Sequence, residues 1–233
     1  MKYNLSSTSV FPLVDITLQK GEEVQIEPGS MVYHNGLVTL EGHMNSNGKK
    51  GLGGMVRALG RSLSSGESFF ITKVRGDAED AKVTIAPSTP GTIRELPIGP
   101  TQWRLNTGAF LASESSVSYT MQRQKLEGAL LGGTGGLFVM ETAGEGMMLI
   151  NGYGDLVEIT MDGNQQFVVD NEHVLAWSKS LDYHIEFASG TFGFKTGEGL
   201  VNRFSGQGKI IIQSRNIEAF ASLIAPFIPT SNN

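Results

Sequence analysis

Apolar positions recur in one frame at three places along the chain. Counting from Phe167, apolar or small residues follow at Val169, Val174, Ala176, Leu181 and Tyr183, offsets 2, 7, 9, 14 and 16. From Trp103 the same offsets give Leu105, Phe110, Ala112, Val117 and Tyr119, and from Val24 they give Ile26, Met31, Tyr33, Val38 and Leu40. A turn falls at offset 5 each time, at Gly29, Gly108 or Glu172. Steps of two mark strands whose alternate residues share a face. An ungapped pattern met three times predicts a threefold internal repeat. Each copy is too short to bury its own apolar face and must lean on its neighbours.

Further strands follow from the same logic. Repeat one continues through Ser68–Ile71, Lys82–Ile85 and, after the Pro90-Gly91 turn, Ile93–Leu96; repeat two through Gly136–Val139, Gly146–Ile150 and Leu156–Ile159; repeat three through Gly199–Val201 and Ile210–Ile212. Leu181 to Phe187 alternates most cleanly, with Leu181, Tyr183, Ile185 and Phe187 on one face and Asp182, His184 and Glu186 on the other. Pro87, Pro90, Pro97 and Pro100 are expected in a connection, since proline interrupts a central strand. One domain of three repeats is expected, with bounds 1–97, 98–161 and 162–233.

Two stretches carry the helical period instead. Repeat one is 16 residues longer than repeat two between Leu40 and Gly91, and the extra length is assigned to about 45–65. Within it Leu52, Met55, Val56, Leu59 and Leu63 stand at offsets 0, 3, 4, 7 and 11, with Lys49, Lys50, Arg57 and Arg61 around them. This is the pattern of a basic amphipathic helix and a candidate surface for an anionic membrane or a protein partner. At the other end Asn216 is placed to cap a helix bearing Ile217, Phe220, Leu223, Ile224 and Phe227, which Pro226 and Pro229 stop. An apolar stripe of this kind predicts a lid over the open end of the β-core.

Composition sharpens the fold class more than the function. Thirty glycines and only 18% charged residues among 233 fit many tight turns between short strands. The absence of cysteine excludes disulfides, thiolate metal sites and cysteine nucleophiles. The opening MKYNLSSTSVFPLVD has no long apolar core behind its charged start, and no run reaches the roughly 18 apolar residues that span a bilayer. A soluble cytoplasmic chain is expected. The net charge of −5 is uneven: Asn45 to Arg75 carries six basic residues against one acid, Glu67. Nucleic-acid binding is disfavoured, because no aromatic is interleaved with those cations to stack on bases.

The pieces Gly21-Glu22, Gly29-Ser30-Met31, the basic glycine-rich stretch into Gly66-Glu67-Ser68-Phe69-Phe70, and Ala86-Pro87-Ser88-Thr89-Pro90-Gly91 resemble the altered-inheritance-of-mitochondria family. The resemblance runs over nearly the whole chain. It implies a fold related to the tryptophan RNA-binding attenuation protein, with strands in three pseudo-equivalent units. For the mitochondrial members it implies an association with inner-membrane organisation. It defines no catalytic residues, and RNA or tryptophan binding does not pass with a fold.

The chain is poor in catalytic constellations. His34, His43, His173 and His184 share no repeat position and no metal-ligand spacing. Ser68 lies in GESFF, outside any nucleophile elbow. The glycines of 48–54 and 132–136 miss the phosphate-loop spacing, and Glu22, Glu23, Glu27, Glu141, Glu145, Asp155 and Glu158 form no calcium loop. The sequence therefore predicts an all-β chain: three β-repeats in a pseudo-threefold arrangement of TRAP-like β-sandwich or double-stranded β-helix type, plus a short C-terminal helix. A non-enzymatic scaffold or assembly protein without cofactor or metal is expected, homo-oligomeric because open strand edges must be paired. The alternative is a small-ligand or RNA-binding module using clefts between repeats.

Overall fold

Alternation becomes strand wherever one face can be buried. In β2 (Val14–Leu18) Val14, Ile16 and Leu18 are buried while Asp15 is exposed, and β17 (Asp182–Phe187) buries Ile185 while Asp182 and His184, on the opposite face, are exposed, as its pattern requires. The computed structural model describes residues 1–6, 10–45, 69–123, 138–188 and 199–228. Among them nineteen strands form four sheets, followed by one short C-terminal helix, so the chain is mostly β.

The first sheet has the order β1-β2-β7-β4, from β1 (Lys2–Leu5), β2, β7 (Ala81–Ile85) and β4 (Met31–His34). The second runs β5-β6-β3-β10-β13-β8, from β3 (Glu23–Ile26), β5 (Val38–Asn45), β6 (Phe69–Gly76), β8 (Gly91–Ile98), β10 (Phe110–Glu114) and β13 (Gly146–Tyr153). The third runs β11-β12-β9-β16-β19-β14, from β9 (Trp103–Asn106), β11 (Val117–Arg123), β12 (Phe138–Gly144), β14 (Leu156–Asp162), β16 (Val174–Ser178) and β19 (Gln207–Gln213). Each strand of this sheet stands six places later in the chain than its counterpart in the second. The fourth is β15-β18-β17, from β15 (Phe167–Asp170), β18 (Leu200–Ser205) and β17.

Three apolar cores lie between successive sheets. Val14, Ile16 and Val83 meet Val24, Val74 and Leu149 between the first and second. Phe110, Met148 and Ile150 meet Trp103, Met140 and Ile211 between the second and third. Trp177 and Ile210 meet Leu181 and Phe204 between the third and fourth. The two middle sheets are thus covered on both sides. Their central strands β10 and β16 read FLASE and VLAWS, near-continuous apolar runs rather than alternating ones.

Register slips by one residue at the same point of three strands, between Met31 and Tyr33, Phe110 and Ala112, and Val174 and Ala176. These bulges add local twist. Gly91, from the Pro90-Gly91 turn, admits no side chain: a Cβ there would stand 1.9 Å from the Gly152 carbonyl oxygen.

Two expectations are corrected. Pro97 lies inside β8, opposite Met147, and is tolerated because β8 is an edge strand that pairs only with β13. The terminal helix α1 (Ile217–Ile224) is capped as expected, the Asn216 side chain accepting from the Ala219 amide at 2.7 Å, but it is no lid. None of its residues is buried, and Ile217, Phe220, Leu223, Ile224 and the following Phe227 are exposed. Helical spacing establishes an apolar stripe but not what covers it. Its contacts are at its start, where Asn216 meets the His173 ring at 3.1 Å and Phe220 meets the Tyr153 ring edge-on.

Candidate functional site

The β3–β4 junction and the edge beyond it form the site. Glu27-Pro28-Gly29-Ser30 turns the chain, with Gly29 in the left-handed region at φ 82°. The Ser30 amide and hydroxyl both donate to the Glu27 carbonyl, at 3.1 and 2.7 Å. The Glu27 amide donates to the Leu111 carbonyl at 2.8 Å, and the Ala86 amide to that of Ser30 at 2.8 Å. Between this turn and Ala86–Ser88 lies a cleft of about 220 Å³. Burial in it pushes the Glu27 carboxyl up to about 7, since an apolar wall disfavours the charged form.

From the cleft the chain enters β4. On one side β4 pairs with β7, and no described strand pairs with its other side. All four of its residues are exposed, including Met31, Val32 and Tyr33. The Tyr33 hydroxyl donates a long hydrogen bond to Asp15, at 3.4 Å. The arrangement offers an apolar surface with main-chain donors and acceptors along it, which is chemistry for receiving another strand.

The sequence-derived candidates Lys49, Lys50, Leu52, Met55, Val56, Arg57, Leu59, Arg61 and Leu63 lie outside the described residues, as do Ser68 and the two glycine clusters. The histidines do not converge. His34 accepts from the Gly36 amide at 3.0 Å, His43 stands 3.9 Å from Glu41, and His173 is held by the Gln213 carbonyl at 2.7 Å. Among the described residues no three His, Asp or Glu side chains are grouped to hold a metal. Nor is any described helix long and apolar enough to cross a membrane.

Glu141 and Glu158 work in ion pairs. Burial alone would raise the Glu141 carboxyl, but Lys179 at 2.6 Å and Arg104 at 3.0 Å outweigh it and hold the carboxyl below its ordinary value. Glu158 is bridged by Arg94 and Lys209. In the sequence Glu27 belongs to a predicted turn, Glu27-Pro28-Gly29-Ser30, and to no calcium loop. Its one local signal was the EPGS turn leading straight into an apolar strand.

A family model described as mitochondrial biogenesis AIM24 matches residues 3–215. The chain belongs to that family. Among its relatives is a Streptococcus pyogenes serotype M6 protein, uncharacterized protein M6_Spy0233, 48% identical over all of this chain and 93% of its own length. The crystal structure of protein SPYM3_0169 from Streptococcus pyogenes is similar at a TM-score of 0.80 and 44% identity, covering 97% of this chain and 99% of that one. The sequence resemblance to the altered-inheritance-of-mitochondria family is thereby established over nearly the whole length. In this AIM24-family chain the EPGS turn and the β4 edge therefore belong to the family-matched region, not to an appended segment.

Proposed function

We propose that this AIM24-family chain is a non-enzymatic assembly scaffold of three similar β-units in succession, which works by offering its β4 edge to a strand of a protein partner. The unit reading is supported by the recurrence of one strand order six places further along the chain. It is also supported by the three bulges at matching points. The observation that carries the scaffold reading is exposure. Leu111 in β10 and Leu175 in β16 are 0% and 5% exposed, whereas Val32, at the same bulge in β4, is 51% exposed. Apolar main-chain edges left open in this way invite pairing and are usually blunted by charge or proline. β4 has neither. The family description names a process, mitochondrial biogenesis, which accords with organisation more than with a reaction.

Photo-crosslinking tests the reading. A benzophenone amino acid replacing Tyr33 is expected to yield discrete protein adducts in the native cell, whereas one replacing Glu79, exposed in a turn, is expected to yield none. Equal adducts at both positions, or none at Tyr33, would sink the assembly reading.

A further inference from the structure

Two junctions within the chain specify how β4 is completed. At the first, β10 lies against β3 with Ala112 opposite Ile26, Ser113 opposite Gln25 and Glu114 opposite Val24. At the second, β16 lies against β9 with Ala176 opposite Leu105, Trp177 opposite Arg104 and Ser178 opposite Trp103. In the frame that starts at Val24, Trp103 and Phe167, both junctions obey one rule: offsets 9, 10 and 11 of one unit face offsets 2, 1 and 0 of the unit before it. Two strands are left over. β4 and Asn35, the residue after it, hold offsets 9 to 11 with nothing described before them, and β15 holds offsets 0 to 2 with nothing described after it; each is the end strand of its sheet.

We infer that β15 of one copy of this chain adds to β4 of a second copy, head to tail, with Tyr33 opposite Val169, His34 opposite Val168 and Asn35 opposite Phe167. This rests on the scaffold reading and names its partner. The two edges of a single chain are not paired with each other in this structure, and the occupant that carries the matching half of the junction is a second copy.

Exposure supports the match on both sides. Tyr33 is 55% exposed where Ala112 and Ala176 are fully buried, and Val168 is 48% exposed where Gln25 is 8% exposed. The chemistry changes in the direction expected of a surface between chains. Within the chain Gln25 donates to the Val117 carbonyl at 3.1 Å and Arg104 to that of Leu181 at 3.3 Å. At the open junction Val168 replaces these polar side chains, and interfaces between identical chains are more apolar than ordinary surface. The Glu27 amide bond to the Leu111 carbonyl also has a counterpart there, from the Asp170 amide to the partner copy's Val32 carbonyl. The two surfaces differ, so the contact is heterologous, and addition continues until the copies close into a ring or a filament grows.

The absence of cysteine makes the register directly testable. Cα atoms of facing strand residues lie within disulfide reach. Purified Y33C and V169C chains, mixed and mildly oxidised, are expected to form a disulfide dimer that neither forms alone. The double variant Y33C/V169C is expected to form covalent dimers and higher species. A double variant that instead gives only an internally bridged single chain would show the junction closing in cis and overturn the inference. So would the lack of any disulfide in the mixture.

Tyr33 is exposed and Val169 packs at the margin of the third core, and far-UV circular dichroism checks that the variants fold. Light scattering of the unsubstituted chain supplies a second reading, with a mass that is a multiple of 25.0 kDa expected and its loss expected in V168D. A single-chain mass at tens of micromolar overturns the inference as well. If self-disulfides fail while Tyr33 still captures another protein in the cell, the scaffold reading stands and only the choice of partner falls. If both fail, both fall.

Discussion

Glu27 is a carboxyl held where neutral pH titrates it. Its ordinary value of 4.5 is raised to about 7 by burial in the cleft beside β4. Between those values the folded chain binds a proton that the unfolded chain has released. Stability on this account is therefore highest below about 4.5 and falls as pH rises to about 7. Solvent at the cleft mouth screens the effect to roughly 1–2 kcal/mol. Glu27→Gln removes the titration, so urea unfolding midpoints of the variant are expected to drop less than those of the parent between pH 5 and 7.5, in the same buffers. Parallel midpoints in the two proteins would contradict the burial of this group. Glu141 has the opposite sign: its depressed value contributes stability above the ordinary carboxylate range, lost as acid breaks its pairs with Arg104 and Lys179.

At the scale of the element, β4, β10 and β16 share a bulge and a hydrophobic pattern and differ in what lies beside them. Replacing the bulged residue by alanine separates pattern from environment. Leu111→Ala opens a cavity in the core between the first two sheets and is expected to cost about 2–5 kcal/mol. Val32→Ala, at the matching place on the open edge, is expected to cost about 0.5 kcal/mol or less in dilute monomer, as surface substitutions do. Chemical denaturation of both checks the contrast, and a loss at Val32 as large as that at Leu111 would mean that the edge is covered within the chain. Sequence reasoning could place Met31, Tyr33, Phe110 and Ala112 in one frame. It could not tell the buried copies from the exposed one, because the strand beside each comes from a different part of the chain. The same limit explains α1: the cap at Asn216 is local and was legible, whereas the partner of Ile217, Phe220 and Leu223 is not encoded in their spacing.

Among the described residues the cores are three, but the sheets that separate them are shared. β3 and β10 hold the second sheet together, and β9 and β16 the third, so that losing one core strips a face from the next. Scanning calorimetry is therefore expected to give a single transition with calorimetric and van 't Hoff enthalpies in a ratio of about 1. Resolved transitions would mean that the shared sheets couple the cores weakly.

What the chain determined by itself was local or periodic. Steps of two set the strands, the Gly29 and Gly91 turns set their ends, Asn216 set the start of α1, and the lack of cysteine and metal-ligand spacing narrowed the chemistry. These depend on a residue and its near neighbours, for which sequence order is a sufficient map. The tertiary structure decided which strand lies against which. It put Pro97 on an edge, raised Glu27 by walling its carboxyl into a cleft, tied Glu141 to Arg104 and Lys179, and left β4 and β15 as end strands. Burial and electrostatics depend on distance in space, and residues such as Tyr33 and Ala112 acquire opposite surroundings only when the sheets assemble.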